Sequence, residues 1–124
     1  MKKVLDITKA LADRNRLRII FMLSEHEELC VCQITEVINI TMPSVSRHMS
    51  ILMNARLVKS RKDSRWVYYR ISGDFPPALL KWLKETLNES QDIKKDFKLL
   101  EETLSEKTME FCKDKSSKRR KCNV

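Results

Sequence analysis

Two apolar runs of helical period, broken by only three residues, leave this chain few ways to fold between Cys30 and Leu57. Val31, Ile34, Val37 and Ile38 line one face of a first short helix, Asn39 to Thr41 interrupt it, and Val45, Met49, Leu52 and Met53 resume the period on a second. Two helices joined by so tight a break form a helix-turn-helix. The start of the second is marked chemically. Thr41 is a side-chain N-cap, Pro43 falls in the first turn where a missing N–H is no loss, and Ser44 lies three residues past the cap. The N-terminal half of this helix then presents Ser44, Ser46, Arg47 and His48, short or cationic donors suited to base edges in a major groove. These four are the candidate base-reading residues, with double-stranded DNA as the partner.

After Leu57 the period shortens to two. Val58 to Lys62 and Arg65 to Ser72 flank a turn at Asp63 and Ser64, and Val67, Tyr69 and Ile71 alternate with Trp66, Tyr68 and Arg70. A β-hairpin placed directly after a reading helix is the wing of a winged helix-turn-helix, so the expected fold class is mainly α with a β-hairpin. Lys59, Arg61, Lys62, Arg65 and Arg70 stand on it beside a single acid, Asp63. The first four are the candidate phosphate contacts, whose role is to position and to strengthen binding, not to read sequence.

The charge distribution agrees. Of a formal net charge of +8, residues 43–73 carry +6 and residues 112–124 carry +5, residues 1–42 sum to 0 and residues 74–111 to −3. Positive charge concentrated on the helix and hairpin favours a polyanion. One glycine and two histidines leave no recognisable nucleophile, base and oxyanion set, so the chain is not expected to be an enzyme. His26 stands beside Glu25, Glu27 and Glu28 in a polar connector and reads as a solvated surface residue. No run approaches the roughly 18 apolar residues of a membrane span, and no signal-peptide apolar region follows Met1 to Lys3. A cytoplasmic protein without a membrane partner is expected.

Upstream, Val4, Leu5, Ile7 and Leu11 predict a short amphipathic helix, and Asp13 caps a second running through Leu17, Ile19, Ile20, Phe21 and Leu23. Downstream, Pro76 and Pro77 introduce a helix with Leu79, Leu80, Trp82, Leu83 and Leu87, and a break follows at Asn88 to Gln91. Ile93, Phe97, Leu100, Leu104 and Phe111 then form a heptad-like stripe. So long a seam wants a partner, either the chain's own core or a second copy, and for a regulator reading twofold DNA a homodimer is preferred. Residues 1–111 are read as one DNA-binding and dimerisation domain, and residues 112–124, nearly devoid of apolar side chains, as a basic tail disordered until bound.

Cys30 and Cys32 stand at the start of the first helix of the pair. Residues two apart on a regular helix point about 200° away from each other, so both sulfurs meet one ion only if the first turn distorts or the pair lies before it. Thiolates suit soft ions, and a helix N-terminus lowers a thiol pKa while Glu27 and Glu28 oppose that effect.

Taken in order, ALADRNRLRIIFML (10–23), ELCVCQI (28–34), MPSVSRHMSIL (42–52), ARLV (55–58) and SRWVYYRI (64–71) resemble the ArsR/SmtB family of metal-responsive repressors. ELCVC is the specific part, similar to the thiol sites of its arsenite and cadmium/lead sensors. The resemblance implies a homodimeric repressor, dimerised through its terminal helices, that leaves its operator when an inducer binds. Departures are local. Thr35 stands where a third thiol is frequent, Gln33 where an acid follows the second, and Arg56 and Ser64 where glycines are common before and at the tip of the wing. The last helix has no histidine for the family's zinc site, and no thiols of the N-terminal extension found in the cadmium/lead sensors are expected to contribute.

Two further thiols, Cys112 and Cys122, offer ways to complete a site. Three thiolates satisfy arsenite, As(III), or antimonite; all four satisfy a tetrahedral soft divalent ion such as zinc, cadmium or lead. Arsenite held by Cys30, Cys32 and Cys112 is preferred, because Cys112 is nearer the helix and cheaper to order than Cys122. A cadmium-, lead- or zinc-responsive repressor and a thiol redox switch on the same scaffold are the alternatives.

Overall fold

The predicted caps appear where the side chains can make them. Asp13 accepts from the Arg16 backbone N–H at 3.1 Å and opens helix α2 (Arg14–Glu25), which follows the short helix α1 (Lys2–Leu11). Ile19, Ile20, Met22 and Leu23 of α2 are fully buried. At about 1.5–3 kcal/mol for each such side chain removed from water, α2 is the post around which the other elements pack.

The helix-turn-helix follows as α3 (Val31–Ile38) and α4 (Met42–Asn54). Asn39 ends α3 with φ 60°, its N–H bonded to the Thr35 carbonyl at 2.9 Å, a left-handed conformation that asparagine tolerates. Thr41 Oγ1 accepts from the Ser44 N–H at 3.4 Å and donates to Ser44 Oγ at 2.9 Å. At its other end α4 closes in a Schellman pattern. The Leu57 N–H reaches the Leu52 carbonyl at 3.0 Å and the Arg56 N–H the Met53 carbonyl at 2.9 Å, with Leu52 and Leu57 both fully buried. Arg56 occupies the left-handed position of that motif, at φ 62°.

The hairpin is β2 (Val58–Asp63) and β3 (Trp66–Ile71), with Ser64 at φ 60° in the turn. It is joined by a strand the sequence did not announce. β1 (Leu29–Cys30) pairs with β3 in the register Leu29 with Tyr69 and Cys30 with Tyr68, giving an antiparallel sheet of order β1-β3-β2. A two-residue strand has no alternation to read, and Cys30 was expected to be part of the helix.

Two helices complete the structure, α5 (Pro77–Leu87) and α6 (Gln91–Ser105). The break between them falls where it was expected. Ile93, Asp96, Leu100 and Thr103 are buried, and α6 packs on α2 and α3 of its own subunit, with Leu100 inside the main core. Of the two partners open to the seam, the chain's own core covers Ile93 and Leu100, and Phe97 and Leu99 are left 42% and 39% exposed. Spacing alone does not distinguish the two, because a helix buries the same stripe against either neighbour. The computed structural model describes residues 1–105; Phe111, Cys112, Cys122, the expected boundary after residue 111 and the basic tail lie outside them.

Candidate nucleic-acid interface and thiol site

Successive residues of α4 are turned by about 100° around its axis, so its two faces can be laid out directly. Val45, Met49 and Leu52 are fully buried on one side. Pro43, Arg47, Ser50 and Asn54 are exposed and form a stripe on the opposite side. Arg47 is thus outward-facing, as expected of a base-reading residue. Ser46 is half-buried on the edge of the stripe. Ser50 and Asn54 were missed; their spacing from Arg47, three and seven residues, is the signal that finds them.

Ser44 and His48 sit on the flank towards α1 and α2. Ser44 is occupied with the Thr41 cap. His48 Nδ1 stands 3.1 Å from Arg16 Nη1. An arginine only donates, so Nδ1 accepts and the neutral ring carries its proton on Nε2. Arg16 is itself tied down by Nε to the Ala10 carbonyl at 2.6 Å and by an ion pair with Asp13 at 3.9 Å. Burial, then the charges of Arg16 and Arg47, hold the His48 pKa below its ordinary value of 6.5, with Asp13 pulling the other way. In this geometry His48 joins α4 to the α1–α2 corner.

On the wing, Lys59, Lys62 and Arg65 are exposed. Arg61 is engaged differently from the others. Its Nε and Nη2 each donate to a Glu28 carboxylate oxygen at 2.7 Å, Asp63 lies 3.8 Å from Nη1, and its Cζ sits 4.6 Å above the Tyr68 ring. The Arg61 hydrogen bonds hold the Glu28 carboxyl below its usual range.

The thiol pair straddles the start of α3. Cys30 is the cap residue, extended at φ −72° and ψ 147°, and Cys32 is the second residue of the helix proper. The opposition of two residues on one helix therefore does not apply to them. A reciprocal capping box locks the corner, with Gln33 Oε1 accepting from the Cys30 N–H at 2.8 Å and the Cys30 side chain standing on the Gln33 backbone N–H. Gln33 is thereby explained: it closes the corner that holds the first thiol. Cys30 is fully buried and Cys32 8% exposed. Burial pushes the Cys30 thiol up, outweighing the backbone N–H groups of Cys32, Gln33 and Val31, so the lowering expected from a helix N-terminus is reversed. Cys32 stands as half of a disulfide. Among the described residues no cluster of three or more His, Cys, Asp or Glu side chains is arranged to hold a metal ion.

Residues 13–60 match the family model described as bacterial regulatory protein, arsR family. The arsenical resistance operon repressor of Escherichia coli K12 is 36% identical over 88 residues, covering 71% of this chain and 75% of the repressor. This chain belongs to the arsR family. A second relative, the cadmium resistance transcriptional regulatory protein CadC of Listeria innocua, is 41% identical over 63 residues, 51% of this chain and 53% of CadC. Among solved structures, the homodimeric winged helix-turn-helix DNA-binding domain of a possible ArsR-family regulator from Mycobacterium bovis is similar at a TM-score of 0.63 and 27% identity, over 71% of this chain and 81% of that one. Family and fold are those of DNA-binding transcriptional regulators, not of enzymes. Among the described residues no helix is long and apolar enough to cross a membrane.

Proposed function

We propose that this arsR-family regulator is a homodimeric repressor that senses arsenite through the thiolates of Cys30, Cys32 and Cys112 and releases operator DNA when arsenite binds. The observation that carries the reading is the position of the thiol pair. One sulfur lies outside the first turn of α3 and the other inside it, and α3 packs directly on the reading helix α4. Drawing both sulfurs to one ion pulls on the cap of α3 and on the helix behind it. Cys112, from the same or the partner subunit, is the remaining ligand, because it stands nearer the helix than Cys122 and is cheaper to order. Arsenical resistance repressors among the relatives support arsenite; antimonite shares its three-thiolate chemistry. Moving an operator from 99:1 bound to 1:99 requires about 5.5 kcal/mol of differential binding, within reach of thiolate coordination.

The oxidised Cys32 favours one second reading, a thiol redox switch in which disulfide formation at Cys32 replaces arsenite as the signal. One experiment separates these. Operator release is followed by fluorescence anisotropy with arsenite, cadmium, lead and zinc in the presence of a thiol reductant, and with an oxidant in its absence. Arsenite is expected to release the wild type, while Cys30→Ser and Cys32→Ser stay bound and Cys112→Ser responds weakly. Release of the Cys30→Ser, Cys32→Ser double mutant at the wild-type arsenite concentration sinks the sensor assignment. Release by the oxidant alone selects the redox switch, and release by cadmium, lead or zinc alone selects the divalent-ion sensor.

A further inference from the structure

Cys30, Tyr68 and Arg61 form a single row across the three-stranded sheet. Cys30 of β1 is paired with Tyr68 of β3, and Tyr68 with Arg61 of β2. The row is closed at its open side by Glu28, which lies two residues before Cys30 and on the same side of the chain as it enters β1. The Glu28 carboxylate takes both Nε and Nη2 of Arg61, and the guanidinium lies over Tyr68. Glu28 stands two residues of backbone from the first thiol and is joined to the wing through a bidentate pair.

From this geometry we propose that Glu28 is a positioning residue that transmits occupancy of the thiol site to the wing through Arg61. The inference deepens the arsenite reading and rests on it. β1 is two residues long, and both of its residues pair with β3. A displacement of Cys30 towards an ion therefore carries Glu28 with it, and the Arg61 fork follows the carboxylate or loses it. Either way the wing arginine changes place. A cavity of about 600 Å³ lined by His26, Glu28, Arg61 and Arg70, among others, lies beside the pair and gives it room to move. The assignment also changes what Arg61 does. A fork with two of its donors on Glu28 is not free to grip a phosphate in the same bidentate manner, so Lys59, Lys62 and Arg65 are left as the simple phosphate contacts.

The test uses the full chain under reducing conditions, in four forms: wild type, Glu28→Gln, Arg61→Gln and the double mutant. Arsenite uptake is followed by the near-ultraviolet absorption of arsenic–thiolate bonds, and operator affinity by anisotropy with and without arsenite. Glu28→Gln is expected to take up arsenite as the wild type does, and its ratio of operator Kd with arsenite to that without should fall at least tenfold. Arg61→Gln should show the same fall, and the double mutant no further one, because both substitutions cut one link. Arg61→Lys, which keeps the charge and loses the fork, should recover only part of the ratio. A wild-type ratio in Glu28→Gln, or losses that multiply in the double mutant, overturns the proposal. If the wild type itself takes up no arsenite or keeps its operator, the arsenite reading has failed instead. Thermal melting checks that each variant is folded; should Glu28→Gln not fold, Arg61→Gln and Arg61→Lys carry the same comparison.

Discussion

Arg18 and Asp96 are 78 residues apart and meet in a two-point ion pair, Nε to Oδ2 at 2.7 Å and Nη2 to Oδ1 at 2.8 Å. The side chain of Asp96 is 6% exposed and that of Arg18 20%. Arg18 is held further by Asn15 Oδ1 at 2.9 Å, and the Asp96 hydrogen bonds raise its pKa. This pair fastens α6 to α2 and so keeps the last described helix over α3.

Breaking a buried pair by removing one partner leaves the other charge uncompensated. Asp96→Ala is expected to lower the stability of the chain by about 3 kcal/mol, most of it from stranding Arg18. Denaturant unfolding measures this. An Arg18→Met, Asp96→Leu double replacement should recover much of the loss, since an apolar pair of similar volume needs no desolvation of charge.

Burial of His48, and after it the charges of Arg16 and Arg47, make stability depend on pH. The folded state holds His48 below its ordinary value of 6.5 while the unfolded chain does not, so the unfolded chain binds the proton more readily. The contribution is full above 6.5 and is lost as pH falls from there through the folded value. Unfolding midpoints at pH 7.5 and pH 5.5 should therefore differ, and the part due to this group should vanish in His48→Gln. An unchanged pH dependence in that variant rules out the coupling.

Arg47 lies on the exposed stripe of α4, and the wing lysines lie off it. Arg47→Ala is expected to weaken specific operator binding by about 1–3 kcal/mol and binding to random DNA far less. Lys62→Ala or Arg65→Ala should weaken both alike and flatten the salt dependence by about one unit of slope, as for one phosphate contact. Ser50→Ala and Asn54→Ala, on the same stripe as Arg47, should change sequence preference and leave the salt slope alone. Titrations at several salt concentrations decide among these outcomes.

Arg56 and Ser64 hold left-handed backbone, at φ 62° and 60°. That conformation costs about 1–2 kcal/mol for a residue with a Cβ, and glycine gives back roughly 0.5–1 kcal/mol in lost chain entropy. Arg56→Gly and Ser64→Gly should each stabilise the chain, by about 0.5–1 kcal/mol, and raise its Tm. A lower Tm in Arg56→Gly would show that the arginine side chain contributes more than its backbone strain removes.

The helix-turn-helix, its caps and the hairpin were legible in the residues because each is a local matter. Thr41 and Asp13 cap helices through bonds to backbone three residues on, Val45, Met49 and Leu52 fall on one face by period alone, and the alternation from Trp66 to Ile71 is that of a strand. The resemblance to metal-responsive repressors, carried by ELCVC and the reading helix, agrees with the family shown by the comparisons. Tertiary structure alone decided what lies between elements. It put Cys30 in a strand paired with Tyr68, turned His48 towards Arg16, took Arg61 for Glu28 and laid the seam of α6 on its own subunit. Each of these joins residues distant in the chain, and no local rule marks them: a histidine, an arginine or an apolar stripe has the same character whatever it meets. The choice of partner is made by burial and charge only once the helices and the sheet have been brought together.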